Sequence, residues 1–313
     1  MKEKPNRRKF LINSSLSGAA LLYPGRPGFS SSEPDSALSA FDLMKEVARY
    51  RKIDAHAHVG FEAGDEEEQL DFADRLGIDK LCVSRPITNF SGTEPEGPEQ
   101  VREANDRVMQ AVRKHPDRFI GYFTLNPVYQ KESLEEIKRC VDQGFAGYKG
   151  YTQVKISDPL YYPIIERFID LKMIILMHGF CQLGLGGYRM KYDIGKAPNT
   201  SVPEDFVCIA RRYPEATFQY AHIGGGSDWE YACKAFRHSP NIYVDTAGSN
   251  NEEHMIDFAV ECLGEDRLLY GSDSSYYQGV GKILAANLNE TQRRKVFFNN
   301  LNSLLRKSGN HVA

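Results

Sequence analysis

The first strand-like segment of the chain is Lys52-Ile53-Asp54-Ala55-His56-Ala57-His58-Val59. It is a short, largely apolar run that predicts a β-strand ending in two histidines. Histidines two residues apart on a strand share a face, so both imidazoles can reach one point beyond the strand end. This is a spacing of metal ligands, but it is also compatible with a solvent-exposed strand face. The function of the pair therefore depends on partners elsewhere in the chain.

Strand-like and helix-like segments alternate along the rest of the chain. The eight strand-like segments are 51–59, 78–85, 119–126, 144–151, 173–179, 217–224, 241–248 and 268–274. Helical patterns lie at 36–50, 65–76, 99–114, 131–142, 159–171, 203–213, 228–238, 251–263 and 290–307. Strands that alternate with helices predict parallel βαβ units, and eight of them close into a barrel. We therefore predict the α/β class, with residues 33–313 forming one (β/α)8 TIM barrel.

The N-terminal segment 1–32 is excluded from this fold. Asn6-Arg7-Arg8-Lys9-Phe10-Leu11 and the weakly apolar run through Leu22 resemble a twin-arginine signal peptide, and the run is too short for a permanent membrane anchor. A disordered basic tail is the alternative. The prediction is a signal peptide and linker recognised by the twin-arginine export machinery, and an exported, periplasmic protein without a stable membrane anchor.

Composition limits the class of partner. The net charge of −3 argues against a nucleic-acid surface, and 41% hydrophobic and 26% charged residues are ordinary for a soluble globular protein. Six cysteines form no C-x-x-C pair, which favours buried apolar positions over a disulfide framework. We predict a small-molecule substrate and no nucleic acid. A homo-oligomer is left open by the sequence.

Four of the eight histidines occupy equivalent positions in the predicted barrel. His56, His58, His178 and His222 lie at the ends of strands one, five and six, and Asp273 follows strand eight. In TIM barrels the C-terminal strand ends surround the active site, so these side chains converge on one cavity. Neutral imidazoles with a carboxylate suit Zn²⁺ or another borderline divalent ion, and a coordination position left for water makes such a site catalytic.

This arrangement resembles the amidohydrolase superfamily over nearly the whole chain after Arg51. The local forms Ile53-Asp54-Ala55-His56-Ala57-His58, Ala221-His222-Ile223-Gly224-Gly225 and Gly271-Ser272-Asp273 are most similar to its amidohydrolase-related branch. That branch contains hydrolases and also decarboxylases of aromatic and unsaturated acids. The resemblance implies one metal ion, Zn²⁺ in our prediction, bound by His56, His58, His178 and Asp273. It also implies that His222 either acts as proton donor or acceptor or orients the metal-bound water, and that Asp273 has a catalytic role besides binding the metal.

Two cationic residues at strand ends are candidates for substrate binding. Lys149 ends strand four, where it either binds an anionic substrate or corresponds to the carboxylated lysine of two-metal members, and we favour the first. Arg85 ends strand two and either pairs with a substrate carboxylate or forms a salt bridge with the acidic segment 65–68. The loop 180–201 is long enough to predict a lid. Other polar and aromatic residues of post-strand loops receive no catalytic role: Asn126, Phe180, Arg189, Trp229, Tyr276 and Tyr277.

The leading functional prediction is a metal-dependent hydrolase. It would use a metal-activated water on a C–N or C–O bond of a small acidic or cyclic substrate. The first alternative is a metal-dependent, non-oxidative decarboxylase of an aromatic or unsaturated acid. The second is a barrel that binds a solute without catalysis, which would predict loss of ligand residues, and none of the set is missing.

Overall fold

The fold is built around eight short strands in a computed structural model of the chain. The structure describes residues 42–60, 64–87, 96–180, 199–225, 228–248, 250 and 252–313. The strands are β1 (Lys52–His58), β2 (Ile78–Ser84), β3 (Phe119–Phe123), β4 (Gly147–Gly150), β5 (Ile174–His178), β6 (Thr217–Ala221), β7 (Ile242–Asp245) and β8 (Leu268–Leu269). Each begins within three residues of its predicted start.

Helices separate the strands. They are α1 (Leu43–Ala48), α2 (Asp65–Leu76), α3 (Pro98–Lys114), α4 (Gln130–Asp142), α5 (Tyr162–Leu171), α6 (Pro203–Arg212), α7 (Trp229–Phe236), α8 (Met255–Leu263), α9 (Tyr276–Ala285), α10 (Glu290–Arg294) and α11 (Asn300–Lys307). Short 3₁₀ turns at Pro159–Tyr161 and Glu265–Arg267 precede α5 and β8, and a π-helical turn at Lys295–Asn299 joins α10 to α11.

The strands form one parallel sheet in chain order. Each strand from β1 to β8 pairs with its successor, and every pairing is parallel. The Ala55 amide on β1 donates to the Tyr270 carbonyl just after β8 at 2.8 Å, so the first strand meets the end of the last. This confirms the predicted single TIM barrel and places all strand C-termini at one rim.

The core of the described residues has two main parts, one on each side of the strand wall, and a small third cluster of Ile87, Val101, Ala104 and Tyr151. The larger cluster packs α-helices against the outer faces of the strands. The smaller cluster contains Ile53 and Ala55 of β1 and Leu269 of β8, and Leu301 and Leu305 of α11 join it. On β5, alternate residues contribute to different clusters, as the two-residue period of a β-strand requires: Ile174 and Leu176 to the smaller one, Ile175 and Met177 to the larger one. The last helix is therefore part of the barrel core.

Two details of the fold differ from the prediction. Helix α9 has no counterpart among the predicted helices, because Gly279 and Gly281 weaken its helical pattern. Gly279 packs closely, since a Cβ there would lie 3.1 Å from the ring of Tyr270. Strand β8 has two residues rather than seven, because the chain leaves the ladder and turns at Asp273 and Ser274, which have positive φ.

Gly147 on β4 offers a test of barrel packing. A Cβ built on this residue would lie 2.5 Å from Tyr122 of β3, whose ring is fully buried. Gly147→Ala is expected to lower the free energy of unfolding by about 1–3 kcal/mol through overpacking. The measurement is thermal or urea unfolding beside Gly281→Ala, whose added Cβ meets nothing within 4 Å. Equal stability of the two variants would contradict the close β3–β4 approach.

Some predictions lie outside the described residues. These are the signal segment 1–32, the start of the predicted helix 36–50, and most of the predicted lid 180–201. Export and lid closure therefore stay predictions. Among the residues that the structure does describe, no helix has the length and apolar character needed to cross a bilayer.

Candidate metal centre

One cavity at the rim collects the histidines predicted from sequence. It has a volume of about 210 Å³ and is lined by His56, His58, Pro86, Lys149, Tyr151, Thr152, His178, His222 and Asp273. The strand ends bring these residues together from β1, β4, β5, β6 and β8. All five residues of the predicted histidine and aspartate set therefore face the same space.

Three of these residues form a compact group of metal-binding atoms. The Asp273 Oδ1 atom lies 3.0 Å from His58 Nε2 and 3.7 Å from His56 Nε2. Tetrahedral Zn²⁺ with bonds of about 2.0–2.2 Å separates its ligand atoms by about 3.4 Å. The group therefore has the spacing that a divalent ion requires. The second such group in the described part of the chain, Glu66, Glu67 and His115, lies outside the barrel, where Lys114 pairs with its carboxylates.

The hydrogen bonds of both β1 histidines place the ring proton on Nδ1 and leave Nε2 unprotonated. The His56 Nδ1 atom donates to the Asp245 carboxylate at 3.2 Å, and the His58 Nδ1 atom lies 3.3 Å from the Ser84 carbonyl. Since an oxygen acceptor keeps the proton on Nδ1, each Nε2 offers a lone pair, and that of His56 accepts from the Lys149 ammonium at 2.9 Å. The Tyr151 hydroxyl also contacts His58, at 3.4 Å from Nδ1.

Charge at the site matches a divalent cation. Burial lowers the pKa of His58 to about 4 and that of His222 to about 4, and it lowers the pKa of His178 well below its ordinary value. Neutral imidazoles are the form that binds metal. Burial would raise the pKa of the Asp273 carboxyl, but His56 and His58 outweigh it and hold that pKa below its usual range. The site thus combines uncharged nitrogen donors with one carboxylate.

His178 and His222 form a pair on the far side of the cavity. His178 Nδ1 lies 3.0 Å from His222 Nε2, so the two imidazoles share a hydrogen bond. The His222 ring is nearly parallel to that of His56, with 5.7 Å between ring centroids. His178 lines the cavity but lies outside the three-residue group, and its role as fourth ligand stays a prediction.

Lys149 extends into the same cavity from β4. Its side chain is fully buried, its Nζ atom lies 2.9 Å from His56 Nε2, and it lies over the Tyr151 ring at 5.0 Å from the centroid. Burial lowers the pKa of Lys149 to about 8, against the opposing charges of Asp273 and Asp245. An ammonium in this position is suited to an anionic substrate group. Its role in substrate binding stays a prediction.

The other candidate residues lie away from the centre. The Arg85 guanidinium donates to the Gly60 carbonyl. Of the described residues, Pro86 lines the cavity and its neighbour Arg85 does not. Trp229 Nε1 donates to Glu252 at 2.5 Å. The remaining loop residues of the prediction also have structural contacts or lie outside the described residues: Asn126 donates to the Glu96 carbonyl, Tyr276 and Tyr277 pack on Phe72, and Arg189 is not described.

Asp54 supports the two strand ends that present the ligands. Its Oδ1 atom accepts the amide of His56 at 3.0 Å and the amide of Ser272 at 2.9 Å. The Asp273 amide in turn donates to the His56 carbonyl at 2.8 Å. Burial raises the pKa of Asp54 to about 6. This carboxylate therefore links β1 to the end of β8 without entering the cavity lining.

Asp245, at the end of β7, is the residue that the sequence analysis missed. Its carboxylate is fully buried and contacts the ring of His56 and the backbone of His222. Its interactions with His56 and His222, together with the Gln219 side chain, outweigh burial and keep its pKa below the usual range. The signal available was an acid near the C-terminal end of a predicted strand.

Comparison with known proteins identifies a family and several decarboxylases. The sequence profile of the amidohydrolase family matches residues 53–300. A 2-amino-3-carboxymuconate-6-semialdehyde decarboxylase of Dictyostelium discoideum is 23% identical over 60% of this chain, and the match spans 59% of that protein's length. A gamma-resorcylate decarboxylase of Polaromonas sp. strain JS666 is 24% identical over 77% of this chain and 87% of that protein.

A solved structure supports the fold independently. A dihydroxybenzoic acid decarboxylase from Polaromonas sp. JS666, solved with bound manganese and the inhibitor 2-nitroresorcinol, superposes with a TM-score of 0.65 at 18% identity. The alignment covers 82% of this chain and 97% of that one. The leading prediction of a hydrolase is wrong by these comparisons, because the relatives are decarboxylases. The prediction failed because the sequence motifs indicate a candidate ligand set and do not indicate which bond of a substrate is broken.

Proposed function

We propose, since this chain belongs to the amidohydrolase family, that it is a metal-dependent, non-oxidative decarboxylase of a small aromatic or unsaturated acid. The observation that carries the proposal is one buried cavity that combines a divalent-ion donor set with the ammonium of Lys149. The names of the related proteins, decarboxylases of cyclic and unsaturated acids, support the same reaction.

The donor set determines what the metal would contribute. An ion bound by His56, His58 and Asp273, with His178 as a further ligand, would hold the carboxylate of the substrate and withdraw charge from it. We propose one Zn²⁺, because three imidazoles and one carboxylate suit it. Mn²⁺ is the competing ion, since the related structure holds manganese.

The remaining cavity residues supply binding and proton transfer. The Lys149 ammonium binds the anionic part of the acid, since it is the cation among the described residues that line the cavity. Loss of CO₂ breaks the bond between the carboxyl group and its carbon, and that carbon then takes a proton. His222 moves this proton, because its ring lines the cavity and lies nearly parallel to that of His56.

The product distinguishes decarboxylation from hydrolysis. Metal-loaded protein is tested on a panel of aromatic and unsaturated acids, beside lactones and amides, with CO₂ measured directly and products separated by chromatography. We expect one CO₂ for each molecule of acid consumed. In D₂O, we expect one deuterium on the carbon that carried the lost carboxyl group. Chelated protein is the control. Cleavage of a lactone or amide without CO₂ release would contradict the proposal.

A further inference from the structure

The carboxylate of Asp245 joins two parts of the site that come from different strands. Its Oδ2 atom accepts from His56 Nδ1 at 3.2 Å and from Gln219 Nε2 at 2.8 Å. Its Oδ1 atom accepts from the backbone amides of His222 at 2.7 Å and Ala247 at 3.2 Å. We propose that Asp245 is a positioning residue of the reaction, which fixes both the metal-binding tautomer of His56 and the backbone that presents His222.

The inference rests on the proposed metal-dependent function, and its first half concerns the His56 ring. With Asp245 as acceptor, the ring proton stays on Nδ1 and the Nε2 lone pair faces the donor group. The opposite tautomer would direct an N–H at that group. A carboxylate behind a ligating histidine typically changes metal affinity by about 10–100-fold. Asp245 thus controls whether His56 can bind an ion.

The second half concerns the turn that carries His222. His222 has a φ of +50°, a left-handed conformation that residues other than glycine adopt rarely. Asp245 holds the turn through its carboxylate, and its own carbonyl accepts the amide of Ile223 at 3.1 Å. The His222 ring lies against Gly225, where a Cβ would stand 2.7 Å from His222 Nδ1. The direction of the ring therefore follows from the turn.

The tautomer of His56 and the turn that carries His222 both depend on the carboxylate of Asp245, so they cannot be changed independently of each other. All four donors around Asp245 are N–H groups, which a carboxylate satisfies with its two oxygens. An asparagine has the same shape but offers one acceptor oxygen and one NH₂ group. In either orientation, its NH₂ faces an N–H of His56 or of His222. Asp245→Asn must therefore disturb one half of the site.

The experiment separates positioning from simple stability. Protein with ¹⁵N-labelled histidine is prepared as wild type, Asp245→Asn and Gln219→Met, the last of which removes a neutral donor from the same oxygen of Asp245 and retains the carboxylate. Zn²⁺ affinity, unfolding temperature and the histidine ¹⁵N resonances are measured for each. His56 and His222 are assigned by the absence of their resonances in His56→Gln and His222→Gln.

We expect Asp245→Asn to bind Zn²⁺ about 10–100-fold more weakly than wild type, with the His56 or His222 resonances altered. Gln219→Met should retain wild-type affinity and both histidine signatures, even if it unfolds at a lower temperature. Unchanged affinity and unchanged resonances in Asp245→Asn would overturn the inference, whatever the unfolding temperature. If wild-type protein binds Zn²⁺ but releases no CO₂ from any acid, the proposed function fails while this inference is still decided by the metal and resonance data.

Discussion

Removing divalent metal from the purified protein is expected to lower CO₂ release about 10³-fold or more, and adding back Zn²⁺ or Mn²⁺ to restore it. The expected size follows from the several kcal/mol of charge stabilisation that a bound metal provides, at about 1.4 kcal/mol for each factor of ten. Without an ion, Lys149 is the cation left among the described cavity residues to hold the substrate carboxylate. Metal content and activity are measured on the same samples through chelation and reloading.

The surface group of Glu66, Glu67 and His115 makes a matched control necessary, because it is a second place where an ion could bind. Glu67→Gln weakens that group and leaves the cavity unchanged. We expect this variant to retain one ion per chain and wild-type activity. Full activity in metal-free wild-type protein would refute the metal role outright. Loss of activity in Glu67→Gln would place the functional ion outside the barrel.

The barrel itself could be predicted from local sequence signals. Each βα unit carries its own pattern, and eight repeats leave few alternatives for a chain of this length. The boundaries were less predictable where tertiary contacts override propensity. Helix α9 contains two glycines that lower its helical tendency, and one of them permits close packing against Tyr270. Such a helix is stabilised by its neighbours rather than by its own sequence.

The meeting of the candidate ligands in one cavity could also be predicted, since it depends on a rule of topology. Residues at strand C-termini meet at one rim, so His56, His178 and Asp273 could be brought together without coordinates. The orientation of the side chains within the cavity could not be predicted from the sequence. The hydrogen bond between His178 and His222 depends on ring orientation, which the chain sets through a backbone turn with positive φ. No residue spacing encodes that orientation.

The contacts of Asp245 could not be predicted from the sequence. Its acceptor role depends on His56, 189 residues earlier in the chain, and on the backbone amide of His222. A single carboxylate at a strand end has many structural explanations, whereas a His-x-His pair has few. The reaction type was missed for a related reason. The sequence motifs indicate the residues that could hold a metal ion, and they carry no information on which bond of a substrate is broken.

Replacing Asp273 with asparagine is the substitution with the largest expected effect. The change removes the one carboxylate of the donor group, whose Oδ1 atom lies 3.0 Å from His58 Nε2. A neutral amide oxygen is a much weaker ligand, and its NH₂ group cannot bind a metal. We expect metal affinity to fall at least about 100-fold and kcat/KM at least about 10³-fold. Calorimetric metal titration and the CO₂ assay measure the two effects separately.

The fold should survive this substitution, so the loss can be assigned to chemistry. Asp273 has a φ of +47°, in a region that asparagine adopts readily. The backbone amide of residue 273 would still donate to the His56 carbonyl. Asp42→Asn is the matched control, because Asp42 caps helix α1 and asparagine is an equally good cap. Wild-type turnover by Asp273→Asn at saturating metal would show that this carboxylate is dispensable, and the donor group would then have to be reassigned among the imidazoles of the cavity.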